Sequence, residues 1–217
     1  MLKFYYSPIS VNARRVWVTL LEKYIPFEPV ILYLDDDQFH PEFTAINPFQ
    51  RVPVLVDGDL QVVESLAILD YLEAAYPSPA LVPKIPEEIA IVRMVEMVSV
   101  NELQPATIPL MKQLVQLEVQ PEIVEISRQC ITTVLQFFES LLGRGDYFLG
   151  AELSLADIVA GTLMPSLPMF GFDLRSYPKV NAWAERLSQR ESWQHTTPAP
   201  EQIESALPIA RKILARR

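Results

Sequence analysis

The stretch Val52-Pro53-Val54-Leu55-Val56-Asp57-Gly58-Asp59-Leu60-Gln61-Val62-Val63 restricts the fold more than any other part of the chain. Two β-branched runs flank Asp57-Gly58, and the ease with which Asp-Gly takes positive φ suits a tight hairpin turn. Leu66, Leu69 and Leu72 then fall into helical register, which predicts a helix over 65–75. Glu64-Ser65 therefore sits where a strand ends and a helix begins. Upstream, Leu2–Tyr6 is a short β-prone run closed by Ser7-Pro8. Val16, Leu20 and Tyr24 recur at helical spacing from Ser10 until Pro26 stops the pattern, and Phe27–Leu34 reads as a second strand. The acidic run Asp35–Asp37 opens a loop, so the residues alone give the order β-α-β-loop-β-β-α.

Nineteen prolines punctuate the chain. Pro77, Pro79, Pro83 and Pro86 mark a linker, because each removes a donor and fixes φ. Beyond it the pattern is helical: 87–117, 121–142, 155–167, 178–189 and 202–214. Pro105 and Pro109 are expected to bend or divide the first of these, whereas Pro121 and Pro178 suit first-turn positions. The division is then 1–76, an α/β domain; 77–86, a linker; and 87–217, an α-helical bundle. Ser154-Leu155-Ala156-Asp157 has the spacing of a capping box, with Asp in place of the usual Glu or Gln, and reads as a structural helix start.

The 217 residues are 50% hydrophobic and 21% charged, enough for a sizeable core. A formal charge of −9 argues against a nucleic-acid partner, which needs a basic surface. Cys130, the single cysteine, can neither staple the fold nor build a multi-Cys metal site, and no metal is expected. MLKFYYSPIS lacks the pattern of a signal peptide, and no apolar run approaches the ~18 residues of a spanning helix. A cytoplasmic protein without a membrane partner is the expectation. The basic tail, Arg211–Arg217, suits a helix C-terminus better than a membrane anchor.

Three places have chemistry to offer an extended, peptide-like ligand. A cis bond at Val52-Pro53 would hold the N–H and C=O of Val52 in a fixed direction, although a trans proline at a strand start is the commoner arrangement. At Glu64-Ser65, a hydroxyl and free N–H groups at a helix N-terminus can bind a carboxylate, while the Glu64 carboxylate accepts from an ammonium group. Together they match the head group of an α-amino acid; a plain cap is the competing reading. Ser10, just after the first strand, can donate to a thiolate or simply cap its helix. Bringing a thiol from about 8.5 to about 7 takes roughly 2 kcal/mol, within reach of one charge-assisted hydrogen bond. Tyr5 and Tyr6 are rival hydroxyls, but adjacent strand residues face opposite ways, so at most one can face the site. His195 adds nothing, His40 reads as a solvated loop histidine ahead of one touching the far end of such a ligand, and Cys130 reads as helix packing.

The segments Tyr5-Tyr6-x-Pro8-x-Ser10, Asn47-Pro48-x-x-x-Val52-Pro53-Val54-Leu55, Glu64-Ser65-x-x-Ile68-x-x-Tyr71-Leu72 and Ser154-Leu155-Ala156-Asp157 occur in an order and spacing that resemble the cytosolic glutathione transferase superfamily over essentially the whole chain. The resemblance implies a thioredoxin-like domain of order β-α-β-α-β-β-α with a cis Pro53, a helical domain after it, and usually a homodimer. It implies a catalytic role for Ser10, as in the serine-type, theta- and delta-like branches, with a bacterial class such as chi as one possible home. Val52 would pair through its backbone with the cysteinyl part of glutathione, and Glu64 and Ser65 would hold the γ-glutamyl group. Gln50 and Arg51 would lie near the glycyl carboxylate, and Met97, Asn101 and Gln104 near an apolar second site. Asp157 would be the structural capping aspartate. Ala13 stands where related sequences often carry Cys, and the absence of Cys at or beside Ser10 disfavours the thiol reductases and maleylacetoacetate isomerases of the superfamily. Glutathione as co-substrate, conjugated to a small electrophile, is the leading expectation. A non-catalytic interaction module and a glutathione-dependent peroxidase or isomerase are the alternatives.

Overall fold

The computed structural model describes residues 1–143 and 145–216, so Arg217 at the tip of the basic tail lies outside it. The chain divides into two compact units, the first made of Met1–Ala80 with Glu191–Ile209, the second of Leu81–Arg190 with the residues from Ala210 on.

The first unit is built on β1 (Leu2–Tyr6), α1 (Val11–Glu22), β2 (Phe27–Ile31), α2 (Pro41–Ile46), β3 (Val54–Asp57), β4 (Leu60–Val63) and α3 (Ser65–Ala75). The strands form one mixed sheet in the order β2-β1-β3-β4, with β2 parallel to β1 and the other pairs antiparallel. Alternation along β1 separates its faces. Leu2, Phe4 and Tyr6 are buried, with Tyr6 stacked on Phe4 and tilted against Trp17 of α1. On the opposite face Tyr5 meets Phe43 of α2 in a cluster containing Leu32, Val52 and Val54.

Three local expectations change. The segment read as a loop after Asp35 contains a 3₁₀ turn, Asp37–Phe39, and then α2, whose one buried side chain is Phe43. A single apolar anchor leaves too little periodicity to mark a helix of this length. The second strand stops at Ile31, short of Leu34. The hairpin turn is centred on Gly58-Asp59, one residue beyond the expected pair, since Asp57 still pairs with Leu60; Gly58 supplies the positive φ, +58°.

In the second unit, α4 (Pro86–Val98) and α5 (Gln104–Leu114) are separated by a π turn, Ser99–Leu103. The break falls just ahead of Pro105, whose ring clashes with the carbonyl four residues back and which offers no N–H to it. Pro109 remains inside α5. After α6 (Pro121–Leu141) comes α7 (Leu155–Gly161), buried along its entire length. The helix expected over 155–167 ends at Gly161 and gives way to a 3₁₀ run, Met164–Phe170, because Pro165 and Pro168 interrupt the α-helical ladder. α8 is Pro178–Ser188. Two further helices follow in the chain: α9 (Glu191–Thr196), which belongs to the first unit and which sequence reasoning missed, and α10 (Pro200–Ala215), which belongs to the first unit as far as Ile209 and starts earlier than expected.

The start of α7 is the best-satisfied polar point of this unit. The Asp157 carboxylate accepts from Phe148 N–H (3.1 Å) and the Trp183 indole (3.0 Å) on Oδ1, and from Ser154 N–H (2.9 Å) and the Ser154 hydroxyl (2.8 Å) on Oδ2. Burial pushes this carboxyl above its ordinary range, and the four donors pull it back. Phe138, Phe148 and Trp183 pack edge to face around the site.

Candidate functional site

Sheet register gathers the chemistry-bearing segments. Tyr5 pairs with Val54, and Val54 pairs with Val63, so these residues form a row across β1, β3 and β4. Beyond that row, Tyr6–Ser10 leaves β1, Val52-Pro53 enters β3, and Glu64-Ser65 leaves β4, all from the same end of the sheet. Neighbouring strands are about 4.8 Å apart, so Val52 and Glu64 flank one another, with the start of α1 one strand further on.

Ser10 is the N-cap of α1, with extended backbone, and its Oγ accepts from Ala13 N–H at 3.3 Å. A hydroxyl has one proton and two lone pairs. The cap uses a lone pair, and among the described residues no acceptor takes the proton. The rivals differ. Tyr6 is buried in the core, and burial, with Tyr33 secondary, pushes its phenol above the ordinary value. Tyr5 lies on the Val52 face, beside Phe43. Arg14 is buried, donating from Nε to Thr196 Oγ1 (3.3 Å) and from Nη2 to Thr197 Oγ1 (2.7 Å); burial lowers its pKa to about 10. These contacts, with the edge-on Trp17–His195 pair, clip the segment around α9 onto α1.

The Val52-Pro53 peptide is cis, as is Ser78-Pro79. The Val52 side chain is anchored in the cluster beneath it, and among the described residues its backbone N–H and C=O have no protein partner. The loop before it is organised by buried Asn47, whose Nδ2 donates to Arg51 C=O (2.7 Å) and whose Oδ1 accepts from Phe49 N–H (3.0 Å). Gln50 takes φ +55° and donates to Thr44 Oγ1 at 3.3 Å, while Arg51 is exposed. Asn47 belonged to the sequence motif, but its framework role did not show there.

Glu64 is exposed and has φ +68°, ψ +122°, a backbone region rarely adopted by residues other than glycine. The bend aims the first N–H groups of α3 past the end of β4. Ser65 is buried, and its Oγ accepts from Nη1 of Arg15 at 3.4 Å. Arg15 itself is 0% exposed, and sequence reasoning passed over it. Its available signal was a charge set among the apolar residues of α1. Midway along α3, the Tyr71 hydroxyl donates to Asp57 Oδ2 at 2.6 Å, pinning the helix to the hairpin.

Met97, Asn101 and Gln104 belong to the second unit, with Asn101 Nδ2 3.8 Å from Met97 Sδ. Cys130 lines an apolar surface cavity of about 350 Å³ with Val98, Glu102, Thr133, Val134 and Phe137. Burial, then the Glu102 charge and its hydrogen bond, push the thiol pKa up, away from reactive thiolate. His40 is exposed at the start of α2. Among the described residues, no helix is long and apolar enough to cross a membrane.

Residues 4–80 match the model of the glutathione S-transferase N-terminal domain, and residues 88–191 that of the glutathione S-transferase C-terminal domain. The chain belongs to the cytosolic glutathione transferase superfamily, as an enzyme of it. It is 30% identical to glutathione S-transferase F10 of Arabidopsis thaliana, over 88% of this chain and 94% of that one. It is also 33% identical to maleylacetoacetate isomerase of Rattus norvegicus, over 85% and 86%. Among solved structures it resembles a glutathione transferase homologue from Sulfitobacter with bound glutathione, at 28% identity and a TM-score of 0.77, covering 90% of this chain and 96% of that one.

Proposed function

We propose that the protein binds glutathione at the end of its sheet, activates the thiol through Ser10 and adds the thiolate to small, largely apolar electrophiles, a detoxifying conjugation. The observation that carries this reading is the set of unsatisfied groups at that end. The Ser10 proton, the Val52 backbone and the first turn of α3 supply, in order, a donor for sulfur, an extended pairing edge and a cradle for a carboxylate. Glu64 answers the ammonium group and Ser65 the carboxylate of the γ-glutamyl end. Val52, ahead of cis Pro53, pairs with the cysteinyl backbone, and Gln50 and Arg51 face the glycyl end. Residues 1–76 are the glutathione-binding domain, 77–86 the linker and 87–217 the helical domain, working in the cytoplasm as a homodimer of the serine type.

The 33% identity to an isomerase favours one second reading, in which the thiolate adds to a substrate double bond and is later expelled, regenerating glutathione. The two separate on stoichiometry, because conjugation consumes one glutathione per turnover and isomerisation none. The primary test is thiolate absorbance of bound glutathione against pH. An apparent pKa near 7, against about 8.5 for the free thiol, is expected; a bound thiol titrating at its free value would reject activation by this site, and absence of binding would reject the reading altogether.

A further inference from the structure

We propose that the second unit carries a separate binding site for a zwitterionic aromatic α-amino acid, built on one face of α6 around Arg128. Glu125, Arg128, Gln129, Thr132 and Thr133 recur at helical spacing, and with Phe172 they line a surface cavity of about 440 Å³. That volume lies toward the small end of the range for small-molecule sites, about 300–1,000 Å³. The turn at Gly171, φ +82°, brings two groups against Arg128. The guanidinium donates from Nη1 to Phe170 C=O at 3.0 Å and lies over the Phe172 ring, 5.6 Å from its centroid. Nε and Nη2, an edge of the fork that can grip a carboxylate bidentately, meet no acceptor among the described residues.

The neighbouring carboxylates leave that edge alone. Glu125 stands one turn before Arg128, a spacing at which such side chains pair, yet its Oε1 accepts from Gln129 Nε2 at 3.0 Å. Asp173, next to Phe172, is held on both oxygens by Arg175. Arg128 therefore keeps its charge unanswered in a chain of net charge −9. The hydroxyls divide in the same way. Thr133 donates back to Gln129 C=O at 2.9 Å, whereas Thr132, one turn beyond Arg128, has no partner among the described residues. Arg128 and Thr132 thus offer donors to an anion, and Glu125 Oε2 remains open to a cation on the same face. A bare anion would meet the Glu125 charge, but a ligand with its own ammonium answers both. An α-amino acid carries the two charges on one carbon, and Phe172 supplies an apolar wall for an aromatic side chain. Fastening the turn to α6 needs only the Nη1 contact and gives the free edge, Thr132 and Glu125 no part.

The test is calorimetric titration of the full-length protein with L-phenylalanine and L-tryptophan, with and without excess glutathione. Saturable binding of at least one of them, at one site per chain and unaffected by glutathione, is expected. Removing either charge from the ligand, as in phenylpropionate or phenylethylamine, should weaken binding about tenfold. Arg128→Lys, which keeps the charge but loses the bidentate edge, should weaken the amino acid about tenfold, and Thr132→Val about threefold. Glu125→Gln should weaken the amino acid about fivefold and leave phenylpropionate unchanged or tighter. Glu125 and Thr132 sit on the helix surface, so their variants carry the test should Arg128→Lys fail to fold. Binding of neither amino acid, displacement by glutathione, or wild-type affinity in both Arg128→Lys and Thr132→Val would overturn the proposal. Equal losses for the amino acid and phenylpropionate in Glu125→Gln would do the same. The site stands apart from the glutathione reading: a protein that binds no glutathione leaves each of the variant outcomes as stated.

Discussion

Two helices in this protein begin with a serine cap, and the caps do opposite things with their protons. At the start of α7 the Ser154 hydroxyl donates to Asp157, whose carboxylate takes four hydrogen bonds in a fully enclosed setting. At the start of α1 the Ser10 hydroxyl accepts one long bond from Ala13 N–H and, among the described residues, passes its proton to none. The first arrangement uses up its capacity internally and can only stabilise. The second is a modest cap with a donor left over, which is what a ligand sulfur needs. A shared residue type at a shared position thus separates into structure and chemistry according to where the proton goes.

The largest expected effect comes from breaking the closed cap. Asp157→Ala strands four buried donors, and Asp157→Asn turns an amide NH₂ toward either the Ser154 N–H or the Phe148 and Trp183 N–H groups, which can only donate. Either change should cost about 3–5 kcal/mol, read as a lower urea midpoint or as failure to accumulate folded protein. Breaking the open cap should reverse the balance. Ser10→Ala removes a weak cap worth about 0.5 kcal/mol, while conjugation should slow about 10–100-fold, the value of one hydrogen bond to a charged sulfur. A Ser10→Ala enzyme of unchanged rate would shift attention to Tyr5, on the Val52 face.

That difference was only half visible in the sequence. Ser154 and Asp157 could be read as a box because the spacing is local and the following run is apolar. The hairpin and the third helix were legible for the same reason, since turn chemistry and period belong to neighbouring residues. Less legible were contacts that topology assembles. Nothing near Arg15 in the chain announces Ser65, and Arg14 finds its hydroxyls only because residues 191–197 return to α1. α2 was implied by the family resemblance but not by the residues alone, because Phe43 is its one buried side chain. Backbone conformation was equally hidden: Glu64 carries an ordinary side chain on a backbone angle that glycine would favour.

Glu64 extends the comparison to a third helix start, where the leftover capacity is in the backbone. A non-glycine residue at φ +68° costs on the order of 1 kcal/mol. Glu64→Gly should therefore be neutral or stabilising by up to about 1 kcal/mol, while glutathione binding should weaken if, as proposed, the Glu64 carboxylate answers the ammonium group. Glu64→Gln keeps the strain and should weaken binding without the gain in stability. Denaturant midpoints and calorimetric titration of the pair separate the two contributions. Loss of stability in Glu64→Gly would show that the side chain, not the bend, matters to folding.

The smallest effect concerns a hydroxyl whose proton is also spent inside the chain, though at the surface. Tyr71 donates to Asp57, and that hydrogen bond, then minor burial and the Asp57 charge, raise the phenol pKa from 10.0 to about 12. The unfolded chain releases this proton near pH 10, whereas the folded chain holds it until about pH 12. Between those values the native state binds more protons, so raising the pH favours unfolding. The contribution is complete below pH 10 and is lost as pH climbs through 12. Tyr71→Phe should accordingly lie slightly below wild type in stability from neutral pH to pH 10, with the gap closing above it. The group is largely solvated, so the gap should be small. A gap that widened with pH would contradict donation from Tyr71 to Asp57 and place it with Ser10, among the hydroxyls whose proton the fold leaves available.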